Sequence, residues 1–102
     1  MDKLIKKLKE NSWIITDEKN NTYYKIETDD KNVIYSVFPP NATEPVKVIE
    51  FPIAGQWVDD YFILTGGGEK HTIELDKNNN LIYGKLDGAI PKYHWKLRLK
   101  VL

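Results

Sequence analysis

A chain of 102 residues, 41% apolar and 29% charged with a formal net charge of zero, has the composition of a single globular domain rather than a disordered or fibrous segment. It contains no cysteine, which excludes a disulfide framework, a thiolate metal site and a cysteine nucleophile. No run approaches the roughly 20 apolar residues of a membrane-spanning helix, and no apolar stretch follows the charged N-terminus as in a secretory leader, so the expectation is a cytoplasmic protein with no membrane segment.

Asp2 to Glu10 reads as a short amphipathic helix, with Leu4, Ile5 and Leu8 on one face and lysines on the other. Asp2 stands at the positive end of the helix dipole, and Lys6, Lys7 and Lys9 lie towards the negative end. A helix this short needs its apolar side docked on something to persist. Strand and turn then alternate at close spacing. Trp13 to Thr16 is a strand and Asp17 to Asn21 a turn; Tyr23 to Thr28 is a strand and Asp29 to Asn32 a turn. Val33 to Phe38 is apolar on both parities apart from Ser36, and Pro39-Pro40-Asn41 ends it.

Val46 to Phe51 is closed by Pro52, Gly55 to Val58 is a short extended piece around Trp57, and Asp59-Asp60 is a turn. Tyr61 to Thr65 leads into Gly66-Gly67-Gly68, a turn able to adopt positive φ. His71 to Asp76 places Ile73 and Leu75 opposite in parity to Glu74 and Asp76. Asn78-Asn79-Asn80 connects it to Leu81 to Leu86, and Asp87-Gly88 is a hairpin signal. In the last strand, Lys92 to Val101, the residues Tyr93, Trp95, Leu97, Leu99 and Val101 share one parity, and Lys92, His94, Lys96, Arg98 and Lys100 the other. The short connections leave no room for parallel crossovers. The predicted fold is therefore mainly β: an antiparallel up-and-down meander of seven to eight strands, forming a small barrel or curved sheet with one N-terminal helix, as one domain over residues 1–102.

The order of elements resembles the short bacterial lipocalin-like domains of the calycin group. The resemblance is carried by Trp13 after the helix, the segment from Gly55-Gln56-Trp57 to Thr65, the hairpin of His71–Asp76 and Leu81–Leu86, and the closing strand of alternating basic and apolar residues. It implies a barrel around a small apolar ligand, with Trp13, Trp57, Trp95 and Tyr35 as pocket residues. The family's Gly-x-Trp is here Asn11-Ser12-Trp13, and the chain is much shorter than a ligand-carrying lipocalin. The large side chains also have enough bulk to fill an eight-stranded interior.

Zero net charge conceals a segregation. Four lysines against one aspartate give residues 1–9 a charge of +3, Lys92, Lys96, Arg98 and Lys100 give residues 92–102 a charge of +4, and the intervening residues carry −7. The candidate partner-binding surface is accordingly basic: Lys3, Lys6, Lys7, Lys92, His94, Lys96, Arg98 and Lys100, meeting an acidic protein. Lysines along a strand equally serve to block edge-to-edge pairing, and acidic cross-strand neighbours such as Glu74 and Asp76 would pair with them. Overall neutrality and the lack of an RRM-type aromatic and basic motif argue against nucleic acid.

Other chemistry has weaker support. His71 and His94 fit no metal-ligand spacing with Glu74 or Asp76, and Asp59-Asp60 reads as a solvated turn. Gly66-Gly67-Gly68-Glu69-Lys70 lacks both the spacing and the following helix of a phosphate loop. No serine or threonine has the setting of an activated nucleophile. The expectation is a non-catalytic protein-binding module, of inhibitor, immunity or regulatory type, with no metal and no cofactor.

Overall fold

The computed structural model describes residues 2–19, 21–29, 31–52, 56–58, 61–87 and 92–102. The elements are α1 (Asp2–Glu10), β1 (Trp13–Asp17), β2 (Thr22–Thr28), β3 (Asn32–Phe38), β4 (Lys47–Pro52), β5 (Gln56–Val58), β6 (Tyr61–Gly66), β7 (Glu69–Leu75), β8 (Leu81–Asp87), β9 (Lys92–Arg98) and β10 (Lys100–Val101). Ten strands form among the described residues, against the seven or eight expected. Gln56–Val58 pairs as a strand of its own, and the final segment divides in two at Leu99. The Asp59-Asp60 and Asp87-Gly88 turn expectations involve Asp59, Asp60 and Gly88, which lie outside the described residues, as does Gly55.

The strands form two antiparallel five-stranded sheets, in the orders β10-β1-β2-β3-β4 and β5-β6-β7-β8-β9. Every strand pair within them joins sequence neighbours except β10 with β1, so the topology is a meander whose last strand returns to its first. The two sheets meet along that last run of chain. β9 pairs with β8, Leu99 N donates to Leu81 O at 2.8 Å, and Lys100 and Val101 then pair with Ile14 and Trp13 of β1. On the other side β4 packs against β6, but among the described residues no ladder joins them. The molecule is thus a pair of curved sheets with one unladdered seam, not a closed barrel.

Period-two patterning determines which side chains face inward. Trp13, Ile15, Ile26, Val33, Tyr35, Ile49 and Phe51 of the first sheet, and Phe62, Leu64, Ile73, Leu81 and Tyr83 of the second, form one buried cluster with Leu99. Leu4 and Leu8 of α1 belong to it, with Ile5 packed alongside. Burying each leucine is worth about 1.5–3 kcal/mol, which holds a nine-residue helix that would be marginal in water.

Two close approaches shape the sheets. Gly67 and Gly68 have φ of 57° and 78° in the loop between paired Gly66 and Glu69, the geometry of a two-residue hairpin turn with both central residues left-handed. At Gly84 an added Cβ would stand 2.7 Å from the Tyr93 ring, so the absent side chain gives that ring its place.

Tyr93 departs from the alternation expected of the last strand. The β8–β9 register pairs Lys85 with Trp95 but Leu86 with Tyr93, leaving His94 as the extra residue of a bulge. The parity shifts there. Trp95 remains inward, whereas Tyr93 crosses Gly84 on the outer face, its hydroxyl 3.3 Å from Thr72 Oγ1. The expected apolar face also fades towards the C-terminus: Leu99 is buried, but Leu97 is 39% and Val101 55% exposed.

Candidate functional site

The basic residues form a stripe. Lys92, His94, Lys96, Arg98 and Lys100 are all exposed along β9 and β10. At the end of that run Leu102 N donates to Ser12 O at 2.8 Å, which brings the C-terminus beside the end of α1, where Lys6 is exposed and Lys7 half-buried. The side chain of Lys3 lies outside the described ones.

Part of the stripe is already matched with acids. Lys96 of β9 bonds Glu74 of β7 across β8, and its Nζ stands 5.0 Å from the centre of the Tyr93 ring. The Glu74 hydrogen bond raises the Lys96 pKa above its ordinary value. His94 Nδ1 lies 3.2 Å from Asp87 Oδ1. Asp76, whose carboxyl is held below its usual range mainly by backbone hydrogen bonds from its own turn, also feels the charge of Arg98. Asp76 is therefore a turn-building residue: its Oδ1 accepts from the amides of Asn78 and Asn80, both at 2.8 Å. Among the described residues no ion pair engages Lys92 or Lys100.

Inside, the structure assembles a second constellation. Tyr24 of β2, Tyr35 of β3, Tyr83 of β8 and Trp95 of β9 make a closed circuit of four near-parallel contacts, with ring centres 5.4–6.1 Å apart. The circuit spans both sheets, and each such pair adds about 0.5–1.5 kcal/mol beyond simple burial. His71 stands edgewise to Tyr35, Tyr83 and Trp95, with ring centres at 4.6, 5.5 and 6.3 Å, and tilts against Phe51 at 4.7 Å. Of the expected pocket residues, Tyr35 and Trp95 belong to this circuit. Trp13 is buried in the core, its indole N–H without a partner among the described residues, and the side chain of Trp57 lies outside the described ones.

Above the rings sits Glu69, whose carboxylate gathers three donors. His71 Nε2 and Lys85 Nζ lie 3.1 and 3.2 Å from Oε1, and Lys47 bonds Oε2. Burial alone would raise the Glu69 pKa, but the hydrogen bonds from Lys47, His71 and Lys85 prevail and hold it down at about 2. An ionised carboxylate only accepts, so His71 Nε2 carries the proton and Nδ1 carries the lone pair. Burial pushes the His71 pKa below its ordinary value against the pull of Glu69, leaving a neutral ring at neutral pH. The hydroxyls of Tyr35 and Tyr83 are pushed upward, chiefly by burial. His71 Nδ1 and the Tyr83 hydroxyl are buried with no hydrogen-bond partner among the described residues.

By sequence alone His71 is an ordinary strand histidine, and nothing in the spacing gathers Glu69, Lys47, Lys85 and Tyr83 around it. The signal was parity: Glu69, His71 and Ile73 alternate on one side, and Tyr83 and Lys85 on the facing side of β8. Two surface grooves border these groups. One, of about 470 Å³, is lined by Thr65, Gly68, Glu69, Lys70, Lys85, Leu86 and Asp87. The other, of about 260 Å³, lies against Tyr24, Trp95 and Leu97, with Asp17, Lys19 and His94 at its rim. Among the described residues no group of three or more histidines and carboxylates could hold a metal ion. No helix is long and apolar enough to cross a membrane.

No protein-family model, curated protein or solved structure matches this chain.

Proposed function

We propose that this chain is a non-catalytic protein-binding module of inhibitor, immunity or regulatory type, acting in the cytoplasm on a partner with an acidic surface. The observation that carries the reading is the exposed basic stripe: five basic side chains are exposed along β9 and β10, and Leu102 at the end of that run hydrogen-bonds to Ser12, two residues beyond the lysine-bearing α1. A field of one sign on a neutral molecule steers a complementary partner and sets its orientation. Lys92 and Lys100 are the residues to test, because Lys96 and His94 are engaged with Glu74 and Asp87.

The experiment is affinity capture on the immobilised full chain, followed by measured binding of the recovered partner at two salt concentrations. Changing Lys92, Arg98 and Lys100 to Glu should weaken association about tenfold or more at low salt and flatten its salt dependence. Unchanged binding and unchanged salt dependence in a folded variant would rule the surface out.

A second reading follows from the groove beside Tyr24 and Trp95: a lipocalin-like binder of a small apolar ligand. Its volume, about 260 Å³, lies below the roughly 300 Å³ at which ligand pockets begin, and the rings behind it are packed together. Titrating tryptophan emission with a medium-chain fatty acid separates the readings: a saturable change supports the binder, and a flat response removes it.

A further inference from the structure

We infer that the seam between β4 and the β6–β7 hairpin is a proton-operated latch: when His71 takes up a proton it claims Glu69, Lys47 is released, and the seam opens while the ladders on either side stay formed. The argument begins with the tie itself. Lys47 belongs to β4 and Glu69 to β7, so their ion pair bridges the one boundary where β4 meets its neighbour without a ladder among the described residues. The same carboxylate serves His71 and Lys85 through its other oxygen. Three basic groups from three strands therefore share one acid.

The surroundings of His71 leave a second proton nowhere to go in the closed form. Facing the ring are Tyr35 from β3, Phe51 from β4, Tyr83 from β8 and Trp95 from β9. The charged groups are Lys47 from β4, Glu69 from β7 itself and Lys85 from β8, and among the described residues Glu69 is the only acid that contacts the ring. Nε2–H is already committed to Glu69, so the incoming proton must land on Nδ1, which is buried and has no hydrogen-bond partner among the described residues. An N–H created there would lack an acceptor, a cost relieved only by admitting water or turning the ring. Either movement must part Phe51 of β4 from its neighbours, and the seam is where that meets least resistance.

The charge balance acts in the same direction. A protonated ring competes with Lys47 and Lys85 for Glu69, and it is the closest of the three to the aromatic interior. Burial holds the His71 pKa below its ordinary 6.5, with Lys85 and Lys47 adding to the effect and Glu69 opposing it. The closed form is therefore fully favoured above pH 6.5 and loses its advantage as pH falls from there through the lower value of the buried ring.

The test is an NMR titration of the full chain from about pH 8 to about pH 5, following histidine ring protons and backbone amides. The expected result is one shared midpoint below 6.5 for the His71 ring, the β4 amides and the hairpin amides of Gly66 to Glu69, with the β1–β2 amides unmoved. His71→Phe, or His71→Gln should Phe fold poorly, should abolish the β4 transition. Lys47→Ala should leave the ring titrating, raise its midpoint and loosen β4 already at pH 8. The latch is refuted if the wild-type β4 amides stay flat, if their transition survives loss of His71, or if every amide disappears together as the whole chain unfolds.

Discussion

Gly84 leaves room for the Tyr93 ring: a Cβ on residue 84 would sit 2.7 Å from Cε1 and 2.9 Å from Cδ1 of Tyr93, and 3.0 Å from Thr72 Oγ1. The ring covers the bare backbone of β8, as aromatics do over strand glycines. Gly84→Ala should destabilise the protein by about 1–3 kcal/mol, and adding Tyr93→Ser should recover part of that loss, read from urea midpoints. Glu69 makes the second residue-scale case. The gap between about 2 and the ordinary 4.5 corresponds to at most roughly 3 kcal/mol of folding free energy. Because the folded value is the lower one, that stabilisation is complete above pH 4.5 and is lost as pH falls towards 2. Glu69→Gln should therefore lower the stability at neutral pH and flatten its decline over that acid range, measured by urea unfolding at a series of pH values.

At the scale of elements, the last strand shows what alternation reveals and where it stops. Residues 92–98 and 100–101 are strand, and all five basic residues of the run are exposed. Parity carries no information about a bulge, and the extra residue at His94 moves Tyr93 to the opposite face. Nor does it measure depth: Leu97 and Leu99 have the same parity, yet one is 39% and the other 4% exposed, because only Leu99 falls where the run crosses between sheets. Leu99→Ala should cost about 2–5 kcal/mol, whereas Leu97→Ala should cost less than about 1 kcal/mol, a contrast that thermal or urea melts will show. The helix was legible for a simpler reason. Leu4, Ile5 and Leu8 have no apolar alternative to the core, and all three pack there. Glu69 and Lys85 were harder to place, since charged residues at inward parity read as surface until their partners are known.

For the whole molecule, strand order was legible because short connections favour pairing of sequential strands, and every pair within the two sheets joins sequence neighbours except β10 with β1. The division into two sheets and the position of the seam were not, because closure depends on how β4 meets β6 across the fold rather than on any local pattern. Gly66 sits at that meeting. A Cβ there would stand 3.0 Å from the Glu50 carbonyl oxygen and 3.3 Å from Cδ1 of Phe51. The carbonyl belongs to backbone already laddered to Ile34 of β3, so it has little freedom to withdraw, and the hairpin must move instead. Gly66→Ala should thus destabilise the protein by about 1–3 kcal/mol, with amide shift changes concentrated in β4 and the β6–β7 hairpin and little change in β1 and β2. Changes spread evenly over both sheets would mean that the seam is no weaker than the ladders around it, and that the two sheets yield as one body.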